Sequence, residues 1–89
     1  MFTQNFKELV SKALDITNDK LIKYPEYGVY IHAKEQLLLI QSFIDKNKSP
    51  NHSDKDKINI GLMAVKELES VDPDYCYILC EVDYRFRKI

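Results

Sequence analysis

Three prolines, Pro25, Pro50 and Pro73, punctuate a chain whose apolar residues otherwise recur every three or four positions. A proline lacks the N–H that a helix interior needs, and its ring clashes with the preceding turn. The chain must therefore be built of helices that stop and restart near these points. The first helical pattern runs from about Asn5 to Tyr24. Phe6, Leu9, Val10, Ala13, Leu14, Thr17, Leu21 and Tyr24 make its apolar stripe. Asn5 with Glu8 resembles a capping box, and Pro25 disfavours helical geometry at Tyr24. The second pattern follows the Tyr24–Gly28 turn and ends near Lys46, with Tyr30, Ala33, Leu37, Ile40 and Ile44 as its seam. Leu39 and Phe43 widen that seam enough for a central helix touching two neighbours. Lys46 to Ser53 is polar, contains Pro50 and reads as a loop.

Ser53 is expected to cap a third helix, with Asp54 and Asp56 in its first turn. Ile58, Gly61, Leu62, Val65 and Leu68 would form its core stripe. Gly61 costs about 1 kcal/mol against Ala inside a helix, which points to close approach of another helix there. Asp72-Pro73 is a restart signal, an N-cap followed by proline at the first helical position. The fourth helix should bury Tyr75, Ile78, Leu79, Val82 and Phe86. With no competing strand pattern and no internal repeat, the expected fold is all-α: a small antiparallel four-helix bundle.

Its 89 residues and 10.5 kDa suffice for a single domain, residues 1–89. Such a chain should leave about 5,400 Å² exposed of about 15,000 Å² in extended form, enough burial for one core without staples. Two glycines leave no Gly-rich loop to cradle phosphates. A net charge of −1 argues against a dedicated nucleic-acid binder. No aliphatic run exceeds the four residues of Leu37–Ile40, so no segment can span a bilayer. Met1–Asn5 lacks the basic and apolar regions of a signal peptide, and the expected location is cytoplasmic. Cys76 and Cys80 fit that location. Four apart on a helix, their Cβ atoms stand about 5–6 Å apart, too far for a disulfide.

Catalytic signatures are missing. His32 and His52 fall on different elements, and His32-Ala33-Lys34-Glu35 reverses the Glu-x-x-His order of bundle metal sites. Cys76 and Cys80 have no second pair to complete a thiolate site. Glu69-x-x-Asp72 imitates helical pyrophosphohydrolases but lacks their upstream Glu-x-x-Glu. Arg85 and Arg87 follow both histidines, which breaks the order of helical ribonucleases, and no Gly-x-Ser-x-Gly occurs. The expectation is a protein that is not an enzyme and needs no metal or cofactor.

Partner binding is the remaining reading. On the helical wheels Met63 lies opposite the third helix's core stripe, Tyr77 and Tyr84 face away from Tyr75 and Leu79, and Leu38 projects among Lys34, Glu35 and Ser42. Tyr and Met are enriched at interfaces. From Glu67 to Tyr84 the chain carries Glu67, Glu69, Asp72, Asp74, Glu81 and Asp83 and no Lys or Arg. An acidic patch beside exposed tyrosines suits a basic protein partner. The expected interface comprises Met63, Glu67, Glu69, Asp72, Asp74, Tyr77, Glu81 and Tyr84. The Tyr24–Tyr27 turn is the alternative site.

Tyr24-Pro25-x-Tyr27, Ala33-x-x-Gln36-Leu37, Ala64-Val65-Lys66-Glu67 and Asp72-Pro73, in this order, resemble the small immunity proteins of type VI secretion systems. The likeness is to the family that protects against NAD(P)-glycohydrolase effectors, and it runs from Ala13 to Leu79. Tyr84-Arg85-Phe86-Arg87 has no evident counterpart. The resemblance implies an all-helical, non-enzymatic protein that binds the cognate effector toxin domain and blocks its active site. The alternative is a helical adaptor, chaperone or antitoxin with a different protein partner.

Overall fold

A computed structural model describes all of residues 1–89, and every regular element in it is helical. The order is α1 (Gln4–Lys23), α2 (Gly28–Asp45), α3 (His52–Asp56), α4 (Ile60–Leu68) and α5 (Pro73–Arg87). Helix α1 starts earlier than its sequence suggests. Thr3, rather than Asn5, supplies the cap, its hydroxyl accepting from the Phe6 N–H. It ends as expected, with Tyr24 out of helical geometry before Pro25. At 20 residues α1 should be about 30 Å long, close to the 33 Å long axis of the molecule.

Helix α1 packs on α2 and α5, and α4 packs on α5 and α2, so the four longer helices enclose one core. Phe43 and Phe86 meet across it with ring centroids 5.8 Å apart. The buried stripes of α1, α2 and α5 follow the sequence pattern closely. Val10, Ala13, Leu37, Ile40, Leu79, Val82 and Phe86 are all excluded from solvent, while Leu9, Leu14 and Ile44 form a half-buried margin. Tyr24 departs from its stripe and lies exposed. The total accessible surface of 5550 Å² matches the size-scaling value.

The segment between α2 and α4 differs from its sequence reading. The end of α2 is a Schellman stop. Asn47 takes the left-handed conformation at φ 48°. The Lys48 N–H then reaches the Phe43 carbonyl, and the Asn47 N–H reaches that of Ile44. Asn51, not Ser53, caps α3. Its side chain accepts from the Asp54 N–H while Asp54 accepts from the Asn51 N–H, a complete capping box.

The helix begun at His52 lasts only to Asp56. A turn through Lys57–Asn59 breaks it, and α4 restarts at Ile60. The break resets the helical phase, so a stripe drawn continuously from Ile58 to Leu68 is wrong in its middle. Ile58, Ile60, Gly61, Ala64 and Leu68 are buried, whereas Leu62 and Val65 face solvent. Met63, expected outside, is half-buried against the core. The bundle therefore has four long helices with α3 as a one-turn strap between the second and third.

Candidate interaction surface

Helix α4 is held at a fixed roll angle by polar contacts from its neighbours. Gln36 on α2 stitches the break, its Nε2 donating to the Lys57 carbonyl and its Oε1 accepting from the Asn59 N–H, both at 2.8 Å. Asp83 on α5 is only 7 % exposed. Its Oδ2 accepts from the Gly61 N–H at 2.8 Å, satisfying a donor in the unpaired first turn of α4. Its Oδ1 accepts from Arg87 Nε, and Arg87 also donates to the Ile58 carbonyl. The expected close approach at Gly61 is this one. A Cβ built there would lie 3.0–3.2 Å from the Asp83 side chain. Asp83 thus leaves the acidic surface expected from sequence and becomes an internal clamp.

This roll angle turns Leu62 and Val65 outward, 73 % and 48 % exposed. They line a hollow of about 420 Å³ between α4 and α5 with Gly61, Cys80, Tyr84 and the Asp83–Arg87 pair. Leu62 also lines a second hollow of about 260 Å³, on its other side, with His32, Met63 and Glu67. Leu62 is therefore a crest between two depressions. Helical phase alone misses it. The available signal is composition: seven of the nine residues of α4 are nonpolar, more than one buried face accommodates.

The expected interface residues distribute unevenly around this crest. Tyr77 and Tyr84 are exposed on α5, at 66 % and 59 %, as expected. Glu67, Glu69 and Asp74 are exposed and have no ion-pair partner. Asp72 and Glu81 are half-buried and already engaged. Asp72 caps α5 through the Tyr75 N–H and pairs with Lys20, and Glu81 pairs with Arg85 one turn on. Among the expected interface residues the carboxylates outside any ion pair are thus Glu67, Glu69 and Asp74. Leu38 is exposed on α2, apart from this face.

The tyrosine turn lies at the same end of the bundle as the α4–α5 corner, on the α1–α2 side. Tyr27 meets Tyr30 edge-on at 4.8 Å, and Tyr30 meets Tyr75 at 6.0 Å. Lys20 lies 4.9 Å from the Tyr75 ring centroid. Tyr24 and Tyr30 border a hollow of about 300 Å³ with Lys20 and Lys23. Its principal cation, Lys20, is occupied by Asp72. Tyr75 is sealed beneath, its hydroxyl 2.6 Å from Thr17 Oγ1. The single Thr17 proton goes to the Ala13 carbonyl at 2.7 Å, so Tyr75 donates. Burial pushes the Tyr75 phenol up to about 12.

Cys76 and Cys80 are both free. Burial, and then the neighbouring Cys76, push the Cys80 thiol up to about 11, which suppresses the reactive thiolate. His32 is half-buried and bonded to Asn59 Oδ1 at 2.8 Å. No three His, Cys, Asp or Glu side chains converge on one point. No helix is long and apolar enough to cross a membrane.

Comparison with known proteins places these features in a family. The family model described as Tsi6 matches residues 5–88, including the α5 end for which the sequence motifs offered no counterpart. The immune protein Tsi6 of Pseudomonas aeruginosa is 32 % identical over 77 residues, 86 % of this chain and 81 % of that protein. The solved structure of Tsi6 from Pseudomonas aeruginosa superposes with a TM-score of 0.79 at 30 % identity, over 89 % of this chain and 91 % of that one.

Proposed function

The chain belongs to the Tsi6 family of type VI immunity proteins, and from that premise we propose that it neutralises an NAD(P)-glycohydrolase toxin by covering the toxin's active site. The observation that carries the reading is the family match along nearly the whole chain, joined to the same fold. An immunity protein acts by binding, so the chemistry required of it is complementarity rather than catalysis. One escaped toxin molecule turns over many dinucleotides, which favours tight, stoichiometric capture. Nanomolar affinity, about −12 kcal/mol, is within reach of a standard-sized interface.

In this reading the protein is a non-enzymatic inhibitor working without metal or cofactor, in the cytoplasm where the dinucleotide pool resides. Its contact surface is the α4–α5 corner. Tyr77 and Tyr84 offer broad amphipathic side chains at little entropic cost. Glu67, Glu69 and Asp74 supply unpaired charge that would steer a basic toxin surface. Met63, Asp72 and Glu81 lie at the margin of this surface and contribute less, being half-buried or already paired.

Co-expression tests the reading. The toxin domain encoded beside this chain should copurify with it, and cells carrying both should keep their NAD(P) and survive. Failure of the pair to associate would favour a helical adaptor, chaperone or antitoxin with another partner.

A further inference from the structure

We propose that Gln36, Asp83 and Arg87 are a roll lock that holds α3 and α4 apart in one of two core registers the chain encodes. Without the lock, residues 52–68 close into one continuous helix that buries Leu62 and Val65 and turns Ile60 outward. The device belongs to the chain alone and goes beyond the immunity reading. Its mark is the pair Ile58 and Ile60. Two positions apart on one helix, they would point nearly opposite ways, yet both are fully buried. Only the break at Lys57–Asn59 allows that.

The backbone groups at the break identify what keeps it open. In a continuous helix the Lys57 carbonyl would accept from the Gly61 N–H, and the Ile58 carbonyl from the Leu62 N–H. Side chains take three of these four groups instead. Gln36 Nε2 donates to the Lys57 carbonyl, the Gly61 N–H donates to Asp83 Oδ2, and Arg87 donates to the Ile58 carbonyl. Gln36 Oε1 also accepts from the Asn59 N–H, which a continuous helix would direct to the Lys55 carbonyl. Each side chain thus stands in for a helical bond. No proline or glycine within 57–59 forbids the helical ladder from closing.

Apolar burial does not select the broken form. Ile60, Ala64 and Leu68 make the stripe that is buried. On a continuous helix Ile58, Leu62 and Val65 make a second stripe, centred roughly a third of a turn away. Rolling from one to the other trades Ile60 and Ala64 for Leu62 and Val65, which carry no less apolar area. The polar lock decides between them, because a broken segment without it leaves buried backbone groups unpaired.

Methyl NMR of the full chain with a soluble paramagnetic agent tests this. In the unaltered protein the Leu62 methyls should relax strongly and the Ile60 methyls little, with a non-helical Cα shift at Asn59. In Gln36→Leu/Asp83→Leu the methyl pattern should invert and the Asn59 shift should become helical. Adding Leu62→Lys to that pair should return Ile60 to the core, since a lysine is costly to bury. A folded double variant that keeps the break and an exposed Leu62 would show that these side chains do not set the register, and the inference falls. Should that pair not fold, Gln36→Met/Asp83→Ala reads the same lock. Failure of both pairs to fold means that no second register exists, which also overturns the proposal.

Discussion

Tyr75 and Tyr84 lie on the same helix and meet opposite fates. Tyr75 is sealed in the seam between α1 and α5, donating to Thr17 and packed against Tyr30. Tyr84 stands on the other side of α5, where α4 leaves a hollow rather than a seal. Near Tyr75, the principal polar groups are paired: Thr17 with Ala13, Lys20 with Asp72. At the Tyr84 end, the pairing lies beneath the surface, in the Asp83 clamp, while apolar side chains above it are exposed. A bundle this small thus divides its buried polar chemistry. One side closes the fold, and the other fixes the angle at which an unsatisfied face is presented.

The sharpest way to break this contrast is a pair of leucine truncations. Leu37 and Leu62 both sit on sequence-predicted core stripes, yet Leu37 is fully buried and Leu62 is mostly exposed. Leu37→Ala should cost about 2–5 kcal/mol of stability. Leu62→Ala should stay within about 0.5 kcal/mol, as a surface change does. Urea unfolding of the two variants checks both values. Equal losses would return Leu62 to the core.

That pair also marks how far the sequence was legible. The inward faces of α1, α2 and α5 were readable because each is one uninterrupted helix bounded by proline chemistry, and periodicity holds along it. The inward face of α4 was not, because the break at Lys57–Asn59 carries no proline or glycine and is held by Gln36 from another helix. Tertiary contacts also moved Asp83 inside and paired Asp72 with Lys20, a residue 52 positions away. The exposed tyrosines and Glu67, Glu69 and Asp74 were legible because wheel and charge agree there. The exposure of Leu62 and Val65 was hidden by the same phase error.

Gly61→Ala probes the clamp more gently. Ala favours a helix over Gly by about 1 kcal/mol, but its Cβ would press on an Asp83 side chain held from both oxygens. A net loss of about 1–2 kcal/mol is expected from overpacking, measured by thermal or urea unfolding. A gain in stability would show that Asp83 is free to yield.

Tyr75→Phe removes one buried hydrogen bond and should cost about 1 kcal/mol near neutral pH. The pH dependence follows from the raised phenol. The folded state favours the neutral form, so the Tyr75 contribution is complete below pH 10 and is lost as pH climbs through about 12. The advantage of the unaltered chain over Tyr75→Phe should therefore shrink across that window. An advantage that stays constant would mean Tyr75 is less enclosed than its seam implies.

The claim that binding alone confers protection is tested most directly by titrating this protein into the toxin domain while NAD(P) hydrolysis is followed. Activity should fall linearly and vanish at one equivalent, and the dinucleotide should remain intact when this protein is present by itself. Undiminished hydrolysis at molar excess, or dinucleotide loss caused by this protein alone, would contradict the account.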